Sequence, residues 1–291
     1  MNAVLAIDLG GTKLRAACFM GDVAALATLA EEPAPTSRVG FVERIRRLSQ
    51  EAGDARALGL AVPGLATGTI CHWVPNLPFL DGLDLSKVFP HLSVGLGNDA
   101  QLSLLAEAKA GAAMGLTDAV LLAIGTGIGS AVLANGSILA GAHGAACSFG
   151  FACADEADEG DPLNGWLERS ASGRAFDVLA ATIDLADGAA LIAAARAGDG
   201  AALALLEQPA ERLATALAGA VALLDPQAIL ISGGLAESVD VLGPRIEAAL
   251  RRRLPPHLQA ITVKAGAFGA RAGLVGAALA GAAGEDWRQR E

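Results

Sequence analysis

The 291-residue chain sets 21 Lys and Arg against 31 Asp and Glu, a formal charge of −10, and is 53% hydrophobic. A disordered chain is excluded, because such chains lack the apolar residues to form a core, and the length suits two domains or one large one. Nucleic acid and anionic membrane surfaces are excluded as general partners, since both need clustered cations over a long footprint.

The one basic run, Arg251, Arg252 and Arg253, reads as the solvated last turn of a helix, where cations favour the macrodipole. Cys18, Cys71, Cys147 and Cys153 are too few and too scattered for a disulfide scaffold and fit a reducing cytoplasm. No basic region precedes the apolar residues of MNAVLAIDLGG, so no export signal is read there. The uncharged span 119–142 contains Gly125, Gly127, Gly129, Gly136 and Gly141; it is too polar for a membrane helix and reads as strands and turns.

In chain order, residues 4–7 have a buried-strand pattern that runs into Asp8-Leu9-Gly10-Gly11-Thr12, and a second apolar run, 14–19, completes a predicted hairpin. Phe41, Val42, Ile45 and Leu48 predict a helix over 41–50, and 57–62 reads as a strand halted by Pro63-Gly64. Residues 65–91, rich in Pro, Gly, Asn and Asp, read as an irregular, site-forming connection. A brief strand at 94–96 leads through Asn98 and Asp99, both competent N-cap types, into a helix over 100–113.

Residues 120–124, the turn Gly125-Thr126-Gly127-Ile128-Gly129, the run 130–133 and the tight turn Asn135-Gly136 repeat the opening design, which implies an internally duplicated fold. Alanine-rich helices over 166–179, 189–197, 201–224 and 244–253 follow, with strands at 228–231 and 261–263 and a final Gly- and Ala-rich helix. Alternating strands and helices place the whole in the α/β class.

The glycine turns carry the chemistry. Asp8 to Thr12 joins a carboxylate at a strand end to glycines whose backbone N–H groups can approach an anion, with a hydroxyl beside them, which suits a nucleotide phosphate with its Mg²⁺. Alone it reads equally well as a hairpin turn. The second turn, Gly125 to Gly129, and a glycine pair ending a strand, Gly233-Gly234, allow three turns around one nucleotide. Lys13 and Arg15 fit either phosphate contact or solvation.

Together, Ala6-Ile7-Asp8-Leu9-Gly10-Gly11-Thr12-Lys13, Val62-Pro63-Gly64, Val74-Pro75-Asn76-Leu77-Pro78, Asn98-Asp99-Ala100, Gly125-Thr126-Gly127-Ile128-Gly129 and Ser232-Gly233-Gly234 resemble the ROK family of sugar kinases and repressors, in family order across nearly the whole chain. The resemblance implies two ribonuclease-H-like domains of the actin and hexokinase type, closing on ATP and a sugar in the cleft between them. The smaller would be 1–116, joined by the C-terminal helix 272–291, and the larger 117–271. Repressor members carry a helix-turn-helix domain ahead of the first strand, which disfavours that branch here.

The resemblance further implies Asp99 as general base, with Asn98, Asn76 and the Gly64 loop on the sugar hydroxyls. Asp8 would hold Mg²⁺ through water, and Gly10, Gly11, Thr12, Lys13, Gly125, Thr126, Gly127, Gly129, Gly233 and Gly234 would meet the nucleotide. The residues alone favour Asn98-Asp99 as a plain helix cap.

Two departures stand out. Where the family carries Gly-Glu-x-Gly-His, this chain has Cys147-Ser148-Phe149-Gly150-Phe151, and the family's cysteine-rich zinc loop is replaced by an acidic stretch, 155–161, read as solvated, before Gly165-Trp166-Leu167-Glu168. Cys147 and Cys153 are expected to be small buried hydrophobes, His143 a hydrogen-bonded loop residue, and no zinc is expected. Ser148, Phe151 and Glu168 are assigned to the sugar pocket. There the apolar ring suits an N-acetyl group, a deoxy position or a cyclitol, or else Ser148 takes the hydroxyl that Glu would hold.

Two functions are therefore expected: an ATP- and Mg²⁺-dependent kinase of a hexose, amino sugar or cyclitol, or a non-catalytic pseudokinase that only binds sugar or nucleotide. Intact Asp8 and Asp99 favour the first. Residues 203–224 read either as a homodimer contact or as an internal core helix.

Overall fold

The computed structural model describes residues 3–288. Its elements run β1 (Val4–Leu9), β2 (Lys13–Phe19), β3 (Ala27–Pro33), α1 (Arg38–Glu51), β4 (Ala57–Val62), β5 (Leu65–Thr67), β6 (Ile70–Trp73), α2 (Leu85–Val88), β7 (Ser93–Asn98) and α3 (Asp99–Ala110). Then come β8 (Ala119–Ile124), β9 (Ile128–Ala134), β10 (Ser137–Ile138), α4 (Trp166–Ala171), α5 (Gly173–Ala181), α6 (Gly188–Arg196), α7 (Gly200–Leu224), β11 (Ala228–Ser232), α8 (Val239–Arg251), β12 (Val263–Ala265) and α9 (Ala272–Ala283). One compact unit takes the chain to residue 114, 137–147 and everything from 271; the other takes 115–136 and 148–270. The sequence boundary at 116 assigns 137–147 to the second domain, whereas this stretch packs with the first: Gly144, for instance, lies against Ala66 and Thr67.

In the first unit the sheet order is β3-β2-β1-β4-β7, with β1 and β2 antiparallel and β1, β4 and β7 parallel. Strand alternation divides β1 cleanly. Leu5, Ile7 and Leu9 enter one core with Phe41, Ile45 and Leu48 of α1, while Val4 and Asp8 lie on the side of α9, against Gly281 and Gly273. On that side helix and sheet meet backbone to backbone. A methyl group on Gly59 or Gly95 would overlap the carbonyls of Ala277 or Ala280, and one on Gly276 would overlap that of Leu102. Gly276→Ala is therefore expected to force α9 off α3 and cost about 1–3 kcal/mol, read as a fall in Tm on thermal unfolding.

The second unit repeats this plan: β9-β8-β11-β12 reproduces β2-β1-β4-β7, with β8 and β9 antiparallel and β8, β11 and β12 parallel. Val120, Leu122, Ile124, Ile229 and Ile231 form its core with residues of α4 to α8. The turn between β9 and β10 places Asn135 and Gly136 at φ 49° and 77°, as a tight Asn-Gly turn requires. α7 spends its apolar face internally, burying Leu206, Leu213, Leu217 and Val221.

Several elements differ from the sequence expectation. β3 is an extra strand whose exposed ATLAEEP carries no burial pattern. The connection 65–91 contains the β5–β6 hairpin and α2. The predicted helix 166–179 is two helices broken at Ser172, and the strand read at 261–263 lies at Val263–Ala265. α8 starts five residues before Pro244 and α7 runs through Pro209, because each proline costs one backbone bond that buried neighbours outweigh. Arg251, Arg252 and Arg253 are exposed at the end of α8, as expected, and form surface ion pairs, Arg251 with Glu247 and the other two with Glu211. Among the described residues no single helix is long and apolar enough to cross a membrane.

Candidate active site

Parallel β1, β4 and β7 end side by side, and this brings Asp8, Gly64 and Asn98-Asp99 to one edge of the first sheet. Asn98 caps α3 by accepting from the N–H groups of Ala100 and Gln101 at 2.9 and 3.4 Å, while its Nδ2 donates to the Gly64 carbonyl at 3.1 Å. The amide thus ties the helix start to the Gly64 loop. Asp99 follows as the first helical residue, its Oδ1 accepting from Ala100 N at 2.8 Å. Burial pushes its pKa up to about 7, the Asp8 charge pushes the same way, and the hydrogen bonds from Ala100 and Asn98 oppose them.

Asp8 is only 18% exposed and sits at the end of β1 beside Gly273 of α9. Its pKa is raised by burial, against the pull of the Arg15 guanidinium 3.4 Å away across the hairpin. Gly10 N donates to Lys13 O at 2.8 Å to close the turn, leaving Gly11 and Thr12 exposed. A Cβ on Gly11 would stand 2.8 Å from that of Asn76, so glycine is what lets the Asn76 loop approach. Lys13 is engaged with Glu31 at 2.5 Å on the outer surface of the hairpin. Mg²⁺ suits one carboxylate completed by phosphates and water, and Asp8, acidic and next to an exposed glycine turn, fits that demand.

In the second unit β8 and β11 are parallel neighbours, so the turn after β8 and Gly233-Gly234 stand together. Gly233 has φ 76° and lies against the Ile124 carbonyl. The turn is held from two directions: Gly173 N donates to Gly125 O at 2.7 Å, and Ile128 N donates to Glu168 Oε2 at 3.0 Å. A Cβ on Gly127 would stand 2.5 Å from the same carboxylate. Glu168, assigned from the resemblance to the sugar pocket, thus has one oxygen committed to the turn.

A cavity of about 330 Å³ opens beside this turn. Gly125, Thr126 and Gly234 line it, whereas Gly127, Gly129 and Gly233 stay outside the lining. Its apolar wall is Phe176, Ile192 and Leu235, and its polar groups are Arg174, Asp177, Arg196 and Glu237. Arg196 is fixed by Asp240 at 2.5 and 2.8 Å and by the Glu237 carbonyl at 2.7 Å. No motif announces these residues, which come from α5, α6 and the turn after β11.

Segment 148–151 packs on β9: Phe149 N donates to Ser130 Oγ at 3.0 Å, and Gly150 lies against the Ile128 carbonyl. Ser148 is exposed and Phe151 is 46% exposed, so both side chains are open to solvent. Cys147 is buried, but Cys153 is exposed, against expectation, because it enters the acidic loop, where its thiol donates to Asp155 O at 3.2 Å. That loop is mostly exposed, as expected, and is tethered as well: Asp158 pairs with Arg169 of α4 at 2.8 Å and Asp161 accepts from the N–H groups of Leu163 and Asn164. Among the described residues no group of three or more His, Cys, Asp or Glu is placed to hold a metal ion.

Known proteins resemble this chain over nearly its whole length. The chain is 29% identical to an N-acetylgalactosamine kinase of Shewanella sp. (strain ANA-3) over 94% of its length and 95% of the relative's. It is 31% identical to an N-acetylmannosamine kinase of Salmonella typhi, over 94% and 97%. Its fold matches that of a ROK family glucokinase from Streptomyces griseus, solved with glucose and AMPPNP, at a TM-score of 0.79 and 26% identity, covering 97% of this chain and 100% of that one. The ROK family model matches residues 4–282, and the chain belongs to the ROK family.

Proposed function

We propose that this protein is a carbohydrate kinase that transfers the γ-phosphoryl group of ATP to a hydroxyl of an N-acetylated hexosamine or a related hexose. The observation that carries the reading is Asp99, a half-buried carboxyl at a parallel sheet edge whose pKa, raised to about 7, suits a proton acceptor near neutrality. Ionised Asp99 orients the sugar hydroxyl and takes its proton as the new O–P bond forms; the bond to the β-phosphate oxygen breaks and ADP leaves. Asn76 and the Gly64 loop, held by Asn98, bind the neighbouring hydroxyls. Mg²⁺ on Asp8 would neutralise phosphate charge.

The cavity of the second unit would take the nucleoside, with Gly125, Thr126 and Gly234 toward its phosphates. Its apolar wall and its balance of two arginines against Asp177 and Glu237 suit a nucleoside better than a polyphosphate chain, which would need unopposed cations. Ser148 and Phe151, in place of the family's Glu and His, favour an acetamido methyl over a bare hydroxyl.

The test is Mg²⁺-dependent ADP release from ATP across hexoses, amino and N-acetyl sugars, deoxy sugars and cyclitols. N-acetylhexosamines are expected to stimulate most, and polyphosphate is expected to be a poor donor. If no acceptor stimulates while sugar and nucleotide still bind by calorimetry, the protein is a binding pseudokinase and the kinase reading falls.

A further inference from the structure

The first unit carries a concave site at the end of its sheet opposite Asp99. Arg56 immediately precedes β4 and His91 stands two residues before β7. Both therefore lie at the N-terminal ends of parallel strands whose C-terminal ends lead to Gly64 and Asn98-Asp99, about 20 Å away for six residues of strand. Here, beside the last turns of α1, is a cavity of about 370 Å³ lined by Arg46, Ser49, Gln50, Asp54, Arg56 and His91.

Its charge is unbalanced. Arg44 and Arg47, on the same helix as Arg46 but outside the cavity, pair with Glu32 at 3.2 and 2.5 Å, and Arg47 also pairs with Glu51. Arg46 and Arg56 make no ion pair among the described residues, although the chain as a whole carries −10. The single carboxylate in the lining is Asp54, held at φ 55° and not paired with either guanidinium. Two guanidinium groups and an imidazole thus line one hollow with no ion-pair partner among the described residues for either arginine, and the guanidinium fork matches phosphate oxygens bidentately.

We propose that this cavity binds a phosphomonoester dianion. The phosphate sits on Arg46, Arg56 and His91, and a hydroxyl-bearing remainder lies against Asp54 and Gln50. The hollow exceeds one phosphate group several-fold, and an acidic acceptor at its rim rewards hydroxyl donors, so a sugar phosphate fits better than inorganic phosphate. Because the site is separate from Asp99, its occupant does not compete with the sugar acceptor.

The chain has four histidines, so the His91 ring signal can be assigned by NMR with a His91→Gln variant. Inorganic phosphate, glucose 6-phosphate and unphosphorylated glucose are then titrated into the full chain. Both phosphates should move the His91 signal saturably, glucose 6-phosphate roughly tenfold more tightly, and glucose should not move it. The double variant Arg46→Ala/Arg56→Ala should weaken that binding by about tenfold or more, with its melting temperature and its basal turnover unchanged. An unmoved His91 signal, or equal binding by the double variant, overturns the site; inorganic phosphate binding as tightly as glucose 6-phosphate overturns the sugar part. The readout needs no catalysis, so it stands or falls independently of the kinase reading.

Discussion

Asp99→Asn should lower sugar-stimulated ADP release by about 10²–10⁴-fold, the usual worth of a positioned general base, with little change in sugar or ATP affinity. Asparagine preserves the shape and can still accept from Ala100 N, so the start of α3 stays in place, but the amide cannot take the hydroxyl proton. A fall in kcat alone, with ligand binding intact by calorimetry, is the expected signature. Activity within about threefold of wild type would remove Asp99 from the chemistry, since no smaller effect separates a base from a bystander.

The same variant has a pH signature. Folded Asp99 titrates near 7 against an ordinary value of 3.8, so the native state holds the proton more tightly than the unfolded chain does. The stability this group contributes is fully present below about pH 4 and is lost as pH rises through 7. Asp99→Asn should therefore melt close to wild type near pH 4 and above it at pH 8, by about 2–4 °C for each kcal/mol of relieved burial. Wild-type kcat/KM should fall on the acid side with a limb near pH 7. The Asp8 charge is the second cause of that raised value, so the limb should move to lower pH as Mg²⁺ concentration rises.

The parts of the site legible in the sequence are those where backbone chemistry dictates the residue type. Asp8 to Thr12, Gly125 to Gly129 and Gly233-Gly234 stand out because glycine at a strand end marks a turn or a close approach, and parallel strand order then places them at one edge of each sheet. Asn98 was legible as a cap for the same local reason, though its second bond, to the Gly64 carbonyl, links residues 34 apart and leaves no trace in the spacing. The cavity beside the Gly125 turn was illegible. Phe176, Asp177, Ile192, Arg196 and Glu237 come from separate elements with no shared motif, and only the packing of α5 and α6 near the turn after β11 assembles them. Cys153 was misread because free cysteine is usually buried, although the acidic residues that follow already marked the segment as surface.

Glu168→Ala should weaken ATP binding by about 10–100-fold, the cost of stranding a buried N–H, while barely changing the affinity for the sugar. The Ile128 N–H that Glu168 accepts from belongs to a residue only 5% exposed, while the other bonds of the turn, Gly125 N to Gly127 O and Gly173 N to Gly125 O, hold its opposite side. Glu168→Gln should be far milder, since its amide oxygen can accept the same bond. Gly127→Ala should resemble Glu168→Ala, because the added methyl would displace the carboxylate from the turn. The alternative role, a direct sugar contact through the free carboxylate oxygen, makes the opposite prediction: the sugar KM would rise in both Glu168→Ala and Glu168→Gln, because the lost group is the charge rather than the acceptor. Measuring ATP and sugar affinities separately for the three variants therefore assigns Glu168 to the donor turn or to the acceptor pocket.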